Sequence, residues 1–527
     1  MNEQESKTKV VSSEENATEF IASENFAVEK NTATVSGNAP LPPQKPRNRF
    51  MQGLDNYWGI TVSKSTFKTE IIAGIVTFMT MIYILFVNAD LLAVAGVDKM
   101  GGYIMTAMGA FVGTMLMALL AKLPFAQATG MGINATFAYT LVGSTADIGY
   151  YEALAIVLCS GLVFVILTVT GARRQIVLSI PKVLNLAMPA AIGLFIAFVG
   201  LQNSGLVVKD QNTGVAMLSF NLIHFFKGTS TITAEQMISA TITIVTIIAI
   251  TVLAKKKIKG SVLYGLLIGA GLYFAMVGIG AGIQDASCRA VFHKFTDAST
   301  LNPLVGFKEF GKHFGRVFTG FAVLGKAQAI MPFITVLVSF LMIDMFNTIG
   351  TIVGVTQTME RGTKIIDKDG NLINMNKALL CDSIATCAGA VFGTSTVTTF
   401  VESSAGVSAG GRTGLTAFIT ASLFLVAMFL SPLANIVPSC ATAGVLVYVG
   451  VLMMGSVKEI KWSEITDAVP AFLMIAGMSF TYSIPNGIAL GFISYTLIKL
   501  CTGKMKEIPI VTAIVSVLFV VTYLISQ

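Results

Sequence analysis

The chain alternates between long apolar runs and short polar interruptions, and many of the runs have the length of a membrane-crossing helix. A helix rises about 1.5 Å per residue, so about 20 residues cross a hydrocarbon layer of roughly 30 Å. Runs near that length begin at about Ile71, Tyr103, Ala153, Val183, Ile238, Val262, Pro332, Leu415, Thr442, Val469 and Gly487. Shorter or glycine-interrupted apolar segments occupy 126–142, 378–392 and 397–409. Together they predict about 14 spans of α-helix. A last apolar run, 508–525, is long enough to cross or to lie on the surface, and its placement stays open. Stretches such as 71–87 and 240–254 do not alternate apolar with polar residues, which excludes an outer-membrane barrel.

Composition agrees with a lipid solvent. Of 527 residues, 54% are apolar and 12% charged, where a soluble protein carries roughly 25% charged residues. Residues 1–50 differ: they are rich in Ser, Thr, Asn, Glu and Lys and close on Pro40, Pro42, Pro43 and Pro46, the composition of a disordered tail. This tail lacks the basic and apolar regions of a signal peptide, so the first span is expected to direct insertion and the N-terminus to stay cytoplasmic. The net charge of +7 forms no basic stripe interleaved with aromatics, so nucleic acid is not the expected partner.

The positive-inside rule supports that orientation. With the N-terminus inside, the cytoplasmic loops hold Arg173, Arg174 and Lys182, then Lys255, Lys256, Lys257 and Lys259. Later ones hold Arg361 and Lys364, Arg412, Lys458 and Lys461, and Lys499, Lys504 and Lys506. The two longest loops, 202–235 and 284–328, then fall outside, and the second divides about 14 spans into two sets of seven. An odd number reverses orientation between halves, so the expected organisation is a seven-span repeat at 51–284, an extracellular connecting loop at 285–328, an inverted second repeat at 329–507 and a C-terminal segment at 508–527.

In such inverted-repeat transporters, interrupted segments at corresponding positions point to the binding site. Here these are the third segment, with Gln127, Thr129, Gly130, Gly132 and Asn134, and the tenth, with Thr398, Thr399, Phe400, Glu402 and Ser403. Glycine, Thr and Ser let the backbone leave helical geometry, which membrane depth tolerates only inside protein or beside a water-filled cavity. The alternative is that the glycines only allow close helix packing. Ionisable groups inside apolar runs are the second signal, each costing about 2.5 to 3.5 kcal/mol at a helix centre. They are Asp344, Asp382 and Glu402. Asp344 and Asn347 share a helix face, Glu402 lies in a broken segment, and Asp382 is expected near a cytoplasmic end, capping a helix or pairing with Lys377. Asp90 and Asp147 are expected to be solvated at span ends.

The six cysteines form no CxxC pair and read as structural thiols. His224, His293 and His313 fall in predicted loops without metal-ligand spacing, so no metal, cofactor or enzyme constellation is expected.

The run from Phe67 through Gly74 to Tyr83, Val87 and Asn88, then Gly130 to Ala135, resembles the AzgA-like adenine/guanine/hypoxanthine permeases of the nucleobase:cation symporter (nucleobase-ascorbate transporter) family. So do Gly393 to Ser403, Ala409 to Thr416, Pro470 to Phe472 and Thr481 to Ile484, and the resemblance spans about residues 50–510. It implies an all-α polytopic membrane protein of two inverted seven-span repeats, with a core domain (spans 1–4 and 8–11) and a gate domain (spans 5–7 and 12–14). It also implies short facing strands in spans 3 and 10, a purine nucleobase bound between them beside span 8, a plasma-membrane location and, as in relatives, a homodimer. Carried onto this sequence, the binding positions are Asn134, Asp344 and Glu402, with Gly132 in the motif and Phe400 placed to stack on a ring.

Relatives usually have Asp where this chain has Asn347 and Pro where it has Ala89. Because Asn cannot take up a proton, coupling is expected to run through Glu402 and Asp344. The resulting expectation is a secondary transporter importing adenine, guanine or hypoxanthine with a coupled cation, H+ first, by elevator-like movement. An anion carrier and a purine-binding membrane protein without transport are the alternatives on the same fold.

Overall fold

The structure is a computed structural model that describes residues 49–142, 148–173, 176, 180–210, 214–218, 233–282, 288, 302–324, 330–356, 359 and 372–525. The predicted tail lies outside these residues apart from its last two positions, which begin a helix. In chain order the first part comprises α1 (Arg49–Trp58), α2 (Phe67–Met81), α3 (Tyr83–Val94), α4 (Lys99–Leu116), β1 (Gln127–Thr129), α5 (Met131–Ala135), α6 (Tyr150–Val169), α7 (Lys182–Asn203), β2 (Val207–Asp210), β3 (Gly214–Met217), α8 (Ala234–Lys255) and α9 (Ser261–Gly282). The second part comprises α10 (Pro303–His313), α11 (Val317–Leu324), α12 (Ile330–Thr356), α13 (Met375–Phe392), β4 (Val397–Thr399), α14 (Ser403–Ser408), α15 (Gly414–Ala427), α16 (Leu433–Ile436), α17 (Ser439–Met453), α18 (Ile465–Phe480), α19 (Ile484–Cys501) and α20 (Ile510–Ile525). Among the described residues, eight helical segments are long and apolar enough to cross a membrane, and four shorter apolar helices accompany them.

Local chemistry sets many helix starts. Thr66, Asp98 and Thr413 each accept a backbone N–H from the first turn that follows, and Thr233 with Gln236 forms a capping box. Ser483 caps α19, whose first turn carries Pro485, where a missing N–H costs nothing.

The helices pack in two sets. In one, α15 lies on α2 and α4, and α13 on α4 and α6. In the other, α17 and α18 lie on α7, α18 on α19, and α8 on α9 and α17. Close approach in the second set depends on two glycines: a Cβ on Gly193 would stand 2.6 Å from the carbonyl oxygen of Gly450. Contacts of α5 and α12 with α7, and of α3 with α17, join the sets. The outer helices α8 and α9 are only 28% and 33% buried in their most apolar windows, so most of their side chains face outward.

The two interrupted spans meet as an antiparallel strand pair, β1 with β4, in register Gln127 to Thr399, Ala128 to Thr398 and Thr129 to Val397. Room for the pair comes from glycines on the flanking helices. A Cβ on Gly113 would lie 2.9 Å from Val397 Cγ1, and one on Gly389 would lie 2.8 Å from Cγ2 of the same side chain. Short strands leave backbone groups that membrane depth cannot hydrate, and side chains take them up. The Thr114 hydroxyl donates to the Gln127 carbonyl and accepts its N–H, both at 2.9 Å, while Thr386 donates to the Val397 carbonyl at 3.0 Å.

Several expectations need correction. The connecting loop 285–328 carries two helices, α10 and α11, docked on α4 and α6. Their 11 and 8 residues are too short to read as spans, yet Asn302 caps α10 and Pro303 starts it. His313 therefore ends a helix instead of lying in a loop; His224 and His293 fall outside the described residues. The other long loop contains the β2–β3 hairpin. The C-terminal run is a helix packed on α19 and α12. Asp90 is not a freely solvated terminus: it pairs with Lys99 at 2.5 Å and accepts the Thr442 hydroxyl at 2.6 Å. Asp147 lies outside the described residues.

Candidate functional site

Three polar clusters lie along the crossed strands. The first follows β4. Glu402 occupies the turn between β4 and α14, half-buried, and accepts the Tyr83 hydroxyl at 2.5 Å. Tyr83 is fully buried at the start of α3. Phe400, 6% exposed, donates its backbone N–H to the Ala126 carbonyl at 3.0 Å, while the Ser403 hydroxyl accepts the Ala126 N–H at 3.0 Å. These bonds tie the two interrupted spans together at the end of the strand pair.

A second cluster surrounds Asn134, which is 1% exposed. Its amide nitrogen donates to Asn88 Oδ1 at 2.5 Å, and its oxygen accepts the Ser395 hydroxyl. Asn88 in turn donates to Thr106 at 2.7 Å and Thr394 at 3.2 Å. The Asn134 side chain is thus held by protein on both faces of its amide, leaving one N–H and one lone pair for any ligand. Gly132, on α5, faces α7 so closely that a Cβ would sit 2.5 Å from Ile192 Cγ2.

The third cluster is charged. Asp344 on α12 is fully buried; its carboxylate lies within reach of the Thr398 hydroxyl on β4 and has no well-formed hydrogen bond among the described residues. The nearest cation is Arg173, whose Nη2 lies 3.9 Å from Asp344 Oδ2 and 2.8 Å from Asp382 Oδ2. Asp382 is richly bonded: its Oδ1 accepts from Thr348 at 2.8 Å and from the Thr399 N–H at 3.2 Å, with the Gln127 amide at 3.5 Å. Arg173 also donates to the Leu379 carbonyl at 3.0 Å and the Ser383 hydroxyl at 3.1 Å, and stands over the Phe164 ring at 4.4 Å. Asn347, one helical turn from Asp344, is half-buried.

Two expectations change here. Asp382 neither caps a helix end nor pairs with Lys377; it lies within α13 and pairs with Arg173. Arg173 is not a cytoplasmic surface charge. A lone buried charge costs several kcal/mol, so an arginine entirely out of water requires a partner, and Asp382 provides it. The sequence reading also passed over Tyr83 and Asn88 as site residues; their signal was a polar side chain inside an apolar run. Glu70, buried at the first turn of α2, accepts the backbone N–H groups of Arg412 at 2.9 Å and Thr413 at 3.2 Å, and so holds the start of α15. Among the described residues no group of three His, Cys, Asp or Glu side chains is arranged to hold a metal.

Interrupted spans that meet as paired strands inside a bundle of apolar helices define a multi-pass membrane transporter. The fold matches the transmembrane domain of a cyanobacterial bicarbonate transporter, BicA, with a TM-score of 0.53 at 16% identity, covering 80% of this chain and 96% of that one. The chain belongs to the Permease family, whose model (Xan_ur_permease) matches residues 68–490. Similar relatives include the adenine permease AdeQ of Escherichia coli, 36% identical over 86% of this chain and 92% of that one. The guanine/hypoxanthine permease PbuO of Bacillus subtilis is 38% identical over 86% of this chain and 97% of that one.

Proposed function

We propose that the protein imports purine nucleobases (adenine, guanine or hypoxanthine) across the plasma membrane as a proton symporter, with its N-terminus cytoplasmic. The observation that carries this reading is the chemistry left open at the crossed strands. A half-buried carboxylate, Glu402, is fixed by Tyr83 beside Phe400, with the buried Asp344 and Asn134 on the neighbouring spans. Carboxylates accept the ring N–H and amino donors of a purine, and a base lacking the matching edge would leave a buried group unpaired at about 1 to 3 kcal/mol. Phe400 is placed to pack on the ring face. The likeness to AdeQ and PbuO supports the same substrate class.

The fold is shared with a bicarbonate transporter, so anion transport is the natural rival. The charge balance disfavours it: among the charged groups described at the strands, Arg173 is the cation, and Asp382 already neutralises it. The division of helices into two packed sets supports elevator-type alternating access, with spans 1–4 and 8–11 as core moving against spans 5–7 and 12–14 as gate, in two inverted repeats.

Purified protein in vesicles tests the reading. Labelled adenine, guanine or hypoxanthine should enter under an inward proton gradient, and bicarbonate or sulfate should neither enter nor compete. Anion flux without purine flux would overturn it, and purine binding without net flux would make the protein a receptor.

A further inference from the structure

We propose that Asp90 and Lys99 form a latch that clasps the two sets of helices together at the outer face, and that this latch must open for a nucleobase to enter. The inference rests on the transport reading and on the orientation proposed with it, which puts the end of α3 and the starts of α4 and α17 outside. Asp90 lies near the C-terminal end of α3 and Lys99 opens α4, so both belong to the first packed set. Across the boundary, α17 of the second set starts at Ser439 behind Pro438, with no side-chain cap from that residue. Asp90 reaches this first turn from the other set: its Oδ2 accepts the Thr442 hydroxyl at 2.6 Å and its Oδ1 the Ser439 hydroxyl at 3.3 Å. Lys99 Nζ, 2.5 Å from Asp90 Oδ1, also donates to the Ser439 hydroxyl at 3.1 Å. A carboxylate at the first turn of a helix is favoured by the helix dipole, so the clasp is attractive in charge as well as in hydrogen bonding.

The chemistry of the clasp suits repeated opening. The ion pair lies wholly within the first set, while the bonds that cross the boundary run to two neutral hydroxyls. Separation therefore leaves Asp90 paired with Lys99 and passes the hydroxyls to water at the mouth, so no charge is stranded. The side chains of Lys99 and Asp90 are 31% and 13% exposed, which puts water within reach of both. A second contact closes the same end. Tyr139, on the helical turns that continue α5 (Thr136–Val142), donates at 2.8 Å to Oδ1 of Asn203, the last residue of α7. Its ring also stands edge-on to that of Tyr482, with centroids 5.6 Å apart. Tyr482, between α18 and α19, has a φ of 51°, a left-handed conformation uncommon for a bulky side chain. Its ring packs edge-on against Phe195 and Phe198 of α7, so the second set offers Tyr139 a seat built from its own residues. Together the two contacts describe a carrier closed to the outside.

The double variant Asp90→Cys/Thr442→Cys tests this in cells, because it removes the clasp and allows a covalent one to replace it. In the reduced variant the outward-open form gains population, and apparent affinity follows the population of the competent form, so KM for external purine should fall about threefold at unchanged protein yield. Bridging the two thiols with a short bifunctional thiosulfonate that does not cross the membrane should then cut uptake to the background of cells without the carrier. An impermeant reductant should restore it. Each single variant, and the parent with its own six cysteines, should keep its uptake through the same treatment. A merely structural clasp predicts lower yield with an unchanged KM, and uptake that survives the bridge. Uptake persisting in protein shown by mass to be bridged would overturn the proposal, as would an unchanged KM in the reduced variant at normal yield. Bridging by a permeant reagent but not by the impermeant one would place the clasp inside and also overturn it. Should the cysteine pair not reach the membrane, Ser439→Ala/Thr442→Val, which keeps both charges, decides by the same shift: a lower KM supports the latch and an unchanged one overturns it. If the parent takes up no purine, the transport reading itself fails and the inference falls with it, whereas purine uptake by the parent with any of the contrary outcomes overturns the latch alone.

Discussion

Tyr83 and Glu402 lie 319 positions apart in the chain and meet at 2.5 Å, joining the first span to the turn that follows the second strand of the crossing. Of the three acids described at the crossing, Glu402 is the one that remains partly accessible, so in the proposed site the Tyr83 hydroxyl would set where that carboxylate meets a ligand. Replacing Tyr83 by Phe keeps the ring and removes the donor. A hydrogen bond of this kind contributes about 1 kcal/mol net, so purine uptake should lose roughly fivefold in kcat/KM while protein yield stays level; concentration-dependent uptake in cells measures both. Unchanged kinetics would detach Tyr83 from the site.

Asn134→Ala should harm more than one property at once. Its amide is hydrogen-bonded to Asn88 and Ser395, and truncation leaves both without that partner in a buried setting, at about 1 to 3 kcal/mol. Thermal stability in detergent should fall together with transport. A variant that lost transport with full stability would place Asn134 against the ligand alone.

The strand crossing depends on space. A side chain at Gly389 would meet the Ser395 carbonyl at 2.6 Å and Val397 at 2.8 Å, so Gly389→Val must displace β4. Overpacking of this kind costs about 1 to 3 kcal/mol, and the measurable outcome is a lower melting temperature with loss of uptake. Gly271, which has nothing within 4 Å of its would-be Cβ, should accept alanine with neither effect.

A pH effect on stability is expected at the helix pair of the connecting segment. His313, half-buried beside Tyr151 at 3.2 Å, has its pKa lowered chiefly by burial, with Arg316 and Lys312 adding and Glu309 opposing. The unfolded or undocked chain therefore takes up the proton more readily, so stability from this residue is complete above about pH 6.5 and is lost as pH falls below it. Amide protection factors across residues 303–324, corrected for the intrinsic exchange rate at each pH, should fall between about pH 7.5 and 5.5 in the parent and stay level in His313→Gln. Equal pH dependence in both would assign the effect elsewhere.

Much of the architecture was legible because lipid imposes simple rules. Apolar runs marked the helices, and the glycine-, Thr- and Ser-rich interruptions at 127–135 and 397–406 marked the crossing, since those residues are poor helix formers at a depth where only protein can satisfy the backbone. Glu402 and Asp344 stood out for the same reason. Arg173 did not. Next to Arg174 in a polar interruption it looked like one more orienting charge, and its burial depends on Asp382, 209 positions away, a pairing that no local pattern encodes. Lys499 was misread in the same way: counted as a loop charge, it is 2% exposed and pairs with Asp467 at 2.9 Å and Glu507 at 2.7 Å. The helices at 303–313 and 317–324 were missed because a span-length criterion is blind to short elements that dock on a bundle. Tyr83 and Asn88 were visible as motif residues, but their roles come from partners on the second half of the chain.

The central claim is that the crossed strands, with Glu402 and Asp344, bind a purine for transport. Uptake of labelled adenine, guanine, hypoxanthine and uracil into cells lacking their own nucleobase carriers tests it most directly, with Glu402→Gln and Asp344→Asn measured alongside at matched protein levels. The account predicts uptake of at least one purine in preference to uracil, and its loss in both variants. Parent-level purine uptake in both variants, or no purine uptake by the parent, would contradict it.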